Sequence, residues 1–175
     1  MSLDTKKLDK KLNKKSVQME YKKMSYDTTK HNLKWNSFGE AKNHMERYAK
    51  IDEYGYGEMK IMHNTRAQIQ PSNFLCGGLI TITLHWTDIF QIRKKHDVGD
   101  EFPHSVITLD SGGFRTVTTK DRMNRFLPMG YRISQQNFNW ILQVLELTEE
   151  DGELESKWCN KELYFDGMQI KLPIA

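Results

Sequence analysis

The stretch GGLITITLHWTDIFQI, residues 77–92, carries the strongest secondary-structure signal in the chain. From Leu79 to Trp86 apolar residues alternate with polar ones, a pattern typical of a strand that is buried on one face. The alternation loses its phase at Asp88, which predicts a β-bulge or kink there. The apolar face of the predicted strand consists of Ile80, Ile82, Leu84 and Trp86.

Other extended segments flank this stretch. Residues 104–109 alternate in the same way, and residues 130–147 contain two strands around Gln136 and Asn137. Apolar runs on both sides of Asp166 and Gly167 predict a closing β-hairpin. Polar composition predicts a hairpin-like loop at residues 93–103, and acidic composition predicts another loop at residues 148–156.

Helical signals are fewer than strand signals. After a Ser-Gly-Gly turn and a short predicted strand at residues 114–117, Thr118 or Thr119 begins a helix that ends before Pro128. Thr118 and Asp121 match a capping box in which Asp replaces the usual Glu or Gln, so they are expected to occupy the first amide groups of that helix.

The spacing of these elements indicates the fold class. Strands recur about every 8 to 12 residues, whereas residues 36–47 show only modest helical character. We therefore predict an α+β, mainly β fold: a small bent antiparallel sheet or partly open barrel with one short helix, plus a basic N-terminal arm.

The charge is distributed unevenly along the chain. Residues 1–34 contain ten Lys and four acidic residues, a charge of +6, so residues 35–175 carry −3. This predicts a basic tail or arm, disordered or helical, at 1–34 and a single compact β-rich domain at 35–175. A thin apolar stripe of Leu8, Leu12 and Met19 leaves three readings of the arm open: a solvated tail, a nucleic-acid- or partner-binding arm, and a membrane-surface helix, the last with a poor apolar face.

Composition argues against several classes of protein. No apolar run approaches the roughly 18 residues that span a membrane, and no secretory signal pattern opens the chain, so the sequence predicts a soluble protein without a membrane partner. Cys76 and Cys159 lack CxxC spacing, which favours buried thiols over a disulfide or a structural zinc. We predict neither a metal site nor a cofactor.

The segment LDSGGFRTVTTKDRMNRFLP, residues 109–128, is the strongest candidate for a ligand site. A helix start offers free N–H groups to an anion, and glycines allow a ligand to approach the backbone closely. The spacing matches neither GxxxxGK[ST] nor GxGxxG, and a capped turn is the competing interpretation. The candidate ligand-binding residues are Arg115, Thr118, Thr119, Lys120, Arg122 and Arg125.

Two further sets of residues are weaker candidates. His85 and Asp88 point to opposite faces of a regular strand, so an acid–base or metal pair would need a bulge between them. No pair of carboxylates, Ser-His-Asp order or HExxH helix supports hydrolysis, and no catalytic residue is predicted. The aromatic side chains favour a core, because Trp86 and Trp140 lie in alternating apolar patterns, although a few could form a base-stacking platform.

Five segments together resemble a widespread group of small uncharacterised bacteriophage proteins with the signature LxSGG[WF]RTxTTKxRMN. The resemblance spans Asn64 to the C-terminus and leaves the basic arm outside it; Phe114 stands where the group usually has Trp. It implies a phage-encoded accessory or host-directed factor in the cytoplasm of an infected bacterium, and it transfers no catalytic residue. The segments are NTRAQIQ, ITLHWTDIFQI, ITLDSGGFRTVTTKDRMNRFLP, NFNWIL and FDGMQIKL.

The leading functional hypothesis is a non-enzymatic phage accessory protein that binds nucleic acid through the basic arm and the 115–125 cluster. The alternatives are a host- or defence-directed module that binds a protein, and a minor virion component. An enzyme that acts on nucleotides would require His85 and Asp88 to converge with Arg115 in one cleft. The oligomeric state is left open.

Overall fold

The computed structural model describes residues 33–71, 78–96, 103–150 and 153–172. Within them the fold is α+β and mainly β, as predicted, and neither of its two sheets closes into a barrel. The elements are β1 (Lys50–Ile51), β2 (Gly57–Met62), β3 (Thr65–Gln70), β4 (Leu79–Leu84), β5 (Thr87–Lys95), β6 (His104–Leu109), β7 (Tyr131–Gln136), β8 (Asn139–Glu150), β9 (Glu153–Leu163) and β10 (Met168–Leu172), with helices α1 (Phe38–Tyr48) and α2 (Val117–Phe126).

The larger sheet is antiparallel and has the strand order β1-β2-β3-β4-β5-β6-β10. Its centre is the stretch that carried the strongest sequence signal, and Ile80 and Ile82 are fully buried. The predicted irregularity near Asp88 is confirmed, because Ile82 pairs with Phe90 while Thr83 pairs with Asp88, which leaves one extra residue on β5.

The prediction that the first strand extends to Trp86 is wrong. β4 ends at Leu84, and His85 and Trp86 form the turn that leads into β5. His85 has φ 56, a left-handed conformation that reverses the chain where apolar alternation alone would continue the strand. Trp86 is consequently 93% exposed and does not belong to the core.

The smaller sheet has the antiparallel order β7-β8-β9. The predictions for two connections, one within this sheet and one that leaves it, are wrong. The acidic residues at 148–156 lie mostly in β8 and β9, because ten cross-strand pairs continue to Glu150 and Glu153. The predicted hairpin around Asp166 and Gly167 does not form either. That turn carries the chain from the small sheet to the large one, where β10 pairs with β6.

The structure contains two described helices where the sequence predicted one short helix. α1 begins at the N-cap Ser37, whose side chain accepts a hydrogen bond from the Glu40 amide. It buries Phe38, Ala41 and Met45, a spacing that presents one apolar face to the sheet. The weak helical character of residues 36–47 reflects the short apolar stripe, since packing rather than propensity stabilises this helix.

One hydrophobic cluster joins both sheets and both helices. The rings of Trp35, Phe90 and Phe126 contact one another, with centroids 5.4–6.0 Å apart. Asn124 on α2 bonds both the amide and the carbonyl of Ile133, so the helix covers the edge of β7.

Most of the predicted arm at residues 1–34 lies outside the described residues. Leu33 and Lys34 are described; Leu33 is buried in the core cluster, and the division at residue 34 stays a prediction. None of the helices in the described ranges is long and apolar enough to span a membrane.

Candidate binding surface at the loop end

Strand register brings four connections to one end of the large sheet, which we call the loop end. Thr65 pairs with Leu84, Leu84 with Thr87, and Met168 with Leu109, so the turns next to these residues are neighbours. The His85 amide donates to the Asn64 carbonyl at 2.7 Å and ties two of the turns together. The loop end comprises residues 63–64, 85–86, 110–116 and 165–167.

Asp166 organises the loop end through four hydrogen bonds. Its Oδ1 accepts from the Ser111 amide at 2.6 Å, from the Ser111 hydroxyl at 2.7 Å and from the Tyr164 hydroxyl at 2.7 Å. Its Oδ2 accepts from the Gly113 amide at 3.1 Å. We call Asp166, Ser111, Gly113 and Tyr164 the Asp166 network. It fastens the Ser-Gly-Gly turn to the segment that joins the two sheets.

The network shifts the pKa values of its two acids in opposite directions. Burial alone would raise the pKa of Asp166, but the hydrogen bonds from Ser111, Tyr164 and Gly113 outweigh it and lower the pKa to about 2. Burial, and then the bond to the Asp166 carboxylate, raises the pKa of Tyr164 above its usual value. Both groups therefore act at neutral pH as a fixed carboxylate and a fixed hydroxyl donor.

Most amide groups of the Ser-Gly-Gly turn donate hydrogen bonds to acceptors within the protein. Besides the two that Asp166 binds, the Gly112 amide donates to Asp110 Oδ1 at 2.7 Å and the Phe114 amide to the Ser111 carbonyl at 3.0 Å. A phosphate cradle needs such amides pointing at the ligand. The two glycines serve the turn itself, since both have positive φ and a Cβ on Gly112 would lie 2.8 Å from Thr87 Cγ2.

The start of α2 differs from the sequence prediction. The N-cap is Thr116, whose hydroxyl accepts from the Thr119 amide at 3.1 Å, so the predicted capping box of Thr118 and Asp121 is wrong. Residues 114–117 do not form the short strand that was predicted. Thr116 caps the helix because its own backbone is extended, with φ −94 and ψ 162, which places its hydroxyl over the first helical amides.

The six candidate ligand residues have different surroundings in and just before α2. Arg115 is exposed, with its guanidinium 5.4 Å from the centre of the Tyr164 ring. Lys120 donates to Gln135 Oε1 on β7 at 3.0 Å. Thr118 is exposed, whereas Thr119 is buried and its hydroxyl is bonded to that of Thr116 at 2.9 Å.

The remaining two candidates share one carboxylate. Arg122 and Arg125 both contact Asp121 Oδ2, at 2.8 and 3.0 Å. Their side chains are 17% and 29% exposed, so each presents only part of its guanidinium to solvent. No described carboxylate lies within 4.0 Å of the cationic group of Arg115 or Lys120. Of the predicted cluster, these two are therefore the cations near the loop end whose charge no described carboxylate neutralises.

Exposed aromatic side chains are the feature of this surface that the sequence analysis placed in the core, with a base-stacking platform as the alternative. Trp86 is 93% exposed, Phe114 67% and Phe165 53%, and each lies in a loop-end connection. Phe138, 94% exposed, forms the tip of the β7–β8 hairpin. The exposure of Trp86 and Phe138 could have been predicted from their position in two-residue turns, because an aromatic side chain there lies on no strand face that could bury it.

The hairpin tip lies beside the loop end. β9 ends at Leu163, which pairs with Ile141 near the start of β8, and the Tyr164 amide then donates to the Trp140 carbonyl at 2.9 Å. Trp140 is two residues from Phe138, and Tyr164 is two residues from Asp166. The chain and this hydrogen bond therefore link the hairpin tip to the loop end, and we group the exposed aromatics with Arg115 and Lys120 under the name aromatic surface.

Two of these aromatics sit in strained turns. Phe138 has φ 65 and His85, which precedes Trp86, has φ 56. A bulky residue in the left-handed region costs free energy, and so does an apolar side chain left in water. Such costs concentrate at functional sites, so the two turns are candidates for a functional role.

His85 and Asp88 adjoin the Ser-Gly-Gly turn through Thr87, which Gly112 closely approaches. His85 is exposed in the turn, and Asp88 Oδ1 accepts from the Thr83 hydroxyl at 2.8 Å. Across the described ranges no group of three His, Cys, Asp or Glu side chains could hold a metal ion. The thiol of Cys159 is free and half-buried, while Cys76 lies outside the described residues.

Comparison with known proteins places the chain by its sequence. The family model described as Kyanoviridae Gp96 protein matches residues 57–171, more than half of the chain and all of the loop end. No curated protein and no solved structure matches the chain.

Proposed function

We propose that this chain, which belongs to the Kyanoviridae Gp96 protein family and is thus a phage protein, is a non-enzymatic accessory protein that binds nucleic acid with unpaired bases. The observation that carries the proposal is the aromatic surface, where exposed rings and two cations lie together. Bases stack on the rings, and Arg115 and Lys120 contact phosphates.

Stacking explains why aromatic side chains are kept in solvent. Trp86 and Phe138 are each more than nine-tenths exposed and bury almost none of their surface within the fold. Single-stranded nucleic acid is bound by such platforms, and each base–aromatic stack is worth about 1–3 kcal/mol. A duplex hides the faces of its bases, so the surface favours unpaired nucleotides.

The cations supply the complementary charge. Arg115 lies over Tyr164 with its N–H groups at the edge of the aromatic surface, and Lys120 projects toward the hairpin that bears Phe138. Arg122 and Arg125 share Asp121 and add less. Nine lysines of residues 1–32 extend the attraction to phosphate without sequence preference, whereas Lys34 is partly buried and donates to the Asn124 carbonyl.

The test is binding of a fluorescent oligothymidylate by full-length protein at several salt concentrations. The double variant Arg115→Ala, Lys120→Ala should bind about tenfold more weakly, with a shallower salt dependence. The matched control is Arg93→Ala, Lys94→Ala, which removes the same charge from the opposite end of β5. Equal affinities for the two double variants would rule out this placement of the site.

A second candidate function is binding of a host protein. It is favoured by the pairing of two arginines with Asp121, which leaves the aromatic surface less basic than its sequence suggests. Exposed Trp and Phe residues are also typical centres of protein interfaces. Purification from infected cells separates the two: a bound protein with no nucleic acid absorbance supports this candidate, whereas bound nucleic acid that Trp86→Ala releases supports the first.

A further inference from the structure

The β8–β9 hairpin extends well beyond the third strand of its sheet. β7 pairs only with residues 139–144 of β8, while β8 and β9 continue to pair as far as Glu150 and Glu153. We call residues 145–150 of β8 and 153–158 of β9 the acidic ribbon. An isolated two-stranded ribbon is marginally stable in water, so a ribbon of this length gains from a partner on one of its faces.

Alternation gives the acidic ribbon one apolar face. Leu145 pairs with Trp158, Leu147 with Ser156 and Glu149 with Leu154, and paired residues point the same way. Leu147 is 41% exposed and Leu154 is 39% exposed, whereas Leu145 and Trp158 are half-buried. By the same alternation Glu149 lies on this apolar face, whereas Glu146 and Glu155, which pair with Lys157 and Thr148, lie on the opposite face; all three side chains are exposed.

The N-terminal segment leaves the described fold beside the base of the ribbon. The Met129 amide donates to Asn36 Oδ1 at 3.1 Å, and the Leu145 amide donates to the Gly130 carbonyl at 2.8 Å. Met129 and Gly130 are consecutive, so Asn36 and the first residue of the ribbon are close neighbours. Leu33, three residues before Asn36, is buried in the core cluster and fixes the starting point.

The charge and the apolar pattern of the N-terminal segment identify it as the partner of the acidic ribbon. The sequence of residues 1–34 carries +6, and residues 145–158 carry −5. An extended chain covers about 3.3 Å per residue, so a third of the segment suffices to follow the ribbon. Leu8, Leu12 and Met19 recur between lysine pairs, an apolar stripe that matches the strip of the ribbon.

We infer that the lysine-rich segment 4–24 binds the acidic ribbon of its own chain. The apolar stripe covers Leu147 and Leu154, the lysines beside it pair with Glu149, and lysines that extend past the edges of the ribbon pair with Glu146 and Glu155 on its other face. This inference goes beyond the proposed function because it assigns the segment an internal partner at the far end of the small sheet from the aromatic surface. Phosphates then compete with the ribbon for the same lysines.

The test is zero-length crosslinking of lysines to carboxylates in the full-length protein, followed by mass spectrometry of the crosslinked peptides. We expect crosslinks from Lys6–Lys15 to Glu146, Glu149 and Glu155, lost at high salt and in the triple Glu→Gln variant at these three positions. The matched control is Glu46→Gln, Glu53→Gln, Glu58→Gln, three exposed carboxylates on α1, in the turn between β1 and β2 and on β2, whose replacement should leave segment accessibility unchanged.

Trypsin gives an independent readout, because docked lysines are cleaved more slowly. Cleavage within residues 4–24 should accelerate several-fold in the ribbon variant and not in the control variant. Equal cleavage rates in the two variants would overturn the inference, and so would crosslinks that join isotopically labelled to unlabelled chains. Neither readout involves nucleic acid, so failure here is distinguishable from failure of the proposed function.

Discussion

At the scale of single residues, Asp166 has the largest structural role at the loop end. One carboxylate receives four hydrogen bonds from Ser111, Gly113 and Tyr164 and so joins the Ser-Gly-Gly turn to the crossover between the sheets. The sequence shows both the turn and the late Asp-Gly-Met, but it cannot show that they touch, because 55 residues separate Ser111 from Asp166.

Removing this carboxylate should unfold the protein more easily. Asp166→Ala leaves several buried donors without an acceptor, and we expect a loss of about 3 kcal/mol in the free energy of unfolding. Urea denaturation measures it. The comparison variant is Asp88→Ala, which loses the bond to Thr83 and should cost about 1 kcal/mol. Equal costs would show that the Asp166 network does not stabilise the fold.

His44 makes stability depend on pH. Burial, and then the charge of Arg47, lowers the pKa of His44 below its ordinary value of 6.5, while its ring packs against Tyr48 and Trp35. The unfolded chain therefore binds the proton more readily, and the contribution of His44 is lost as the pH falls below 6.5. The difference between the thermal unfolding midpoints at about pH 7 and about pH 5 should be smaller in His44→Phe than in the unmodified protein. The same difference in both proteins would exclude His44 as its source.

At the scale of elements, the strand predictions are correct where no turn interrupts the apolar alternation and wrong where one does. Two inner strands of the large sheet, β4 and β6, and the bulge near Asp88 follow from alternation, since one-sided burial imposes a period of two. The turn at His85 could not be read this way, because a left-handed residue interrupts an otherwise continuous pattern. The acidic stretch after residue 148 was misread as a loop because composition says nothing of cross-strand pairing.

The two loop-end glycines should differ in their tolerance of a side chain. Gly113 has φ +81 and open space around its Cβ position, so Gly113→Ala costs only backbone strain of about 1 kcal/mol. Gly112→Ala adds a contact of 2.8 Å with Thr87 Cγ2 and should cost more. Thr87→Ser in the same chain should recover part of that excess in a double-mutant cycle. Additive costs would contradict the packing explanation.

The β7–β8 turn should gain stability when its aromatic is removed. Asn137 and Phe138 both have positive φ, the arrangement of a type I′ turn, which favours Asn-Gly. Phe138→Gly should raise the free energy of unfolding by about 1 kcal/mol while weakening nucleic acid binding. Thermal denaturation gives the first quantity. A destabilised Phe138→Gly would mean that the ring packs on the fold after all.

At the scale of the whole molecule, the chain separates two kinds of surface. The loop end gathers exposed aromatics beside Arg115 and Lys120, and the acidic ribbon projects from the other end of the small sheet. Composition alone indicated a basic segment on a mildly acidic body. It could not locate either surface, because strand register brings together residues as distant as Trp86 and Phe165.

The most direct test of the aromatic surface is the affinity of the double variant Trp86→Ala, Phe138→Gly for a fluorescent oligothymidylate, measured by anisotropy at fixed salt. Both residues are more than nine-tenths exposed, so the variant should fold normally, as circular dichroism can verify. The account predicts that its affinity falls about tenfold or more relative to the unmodified protein. An affinity equal to that of the unmodified protein would contradict it.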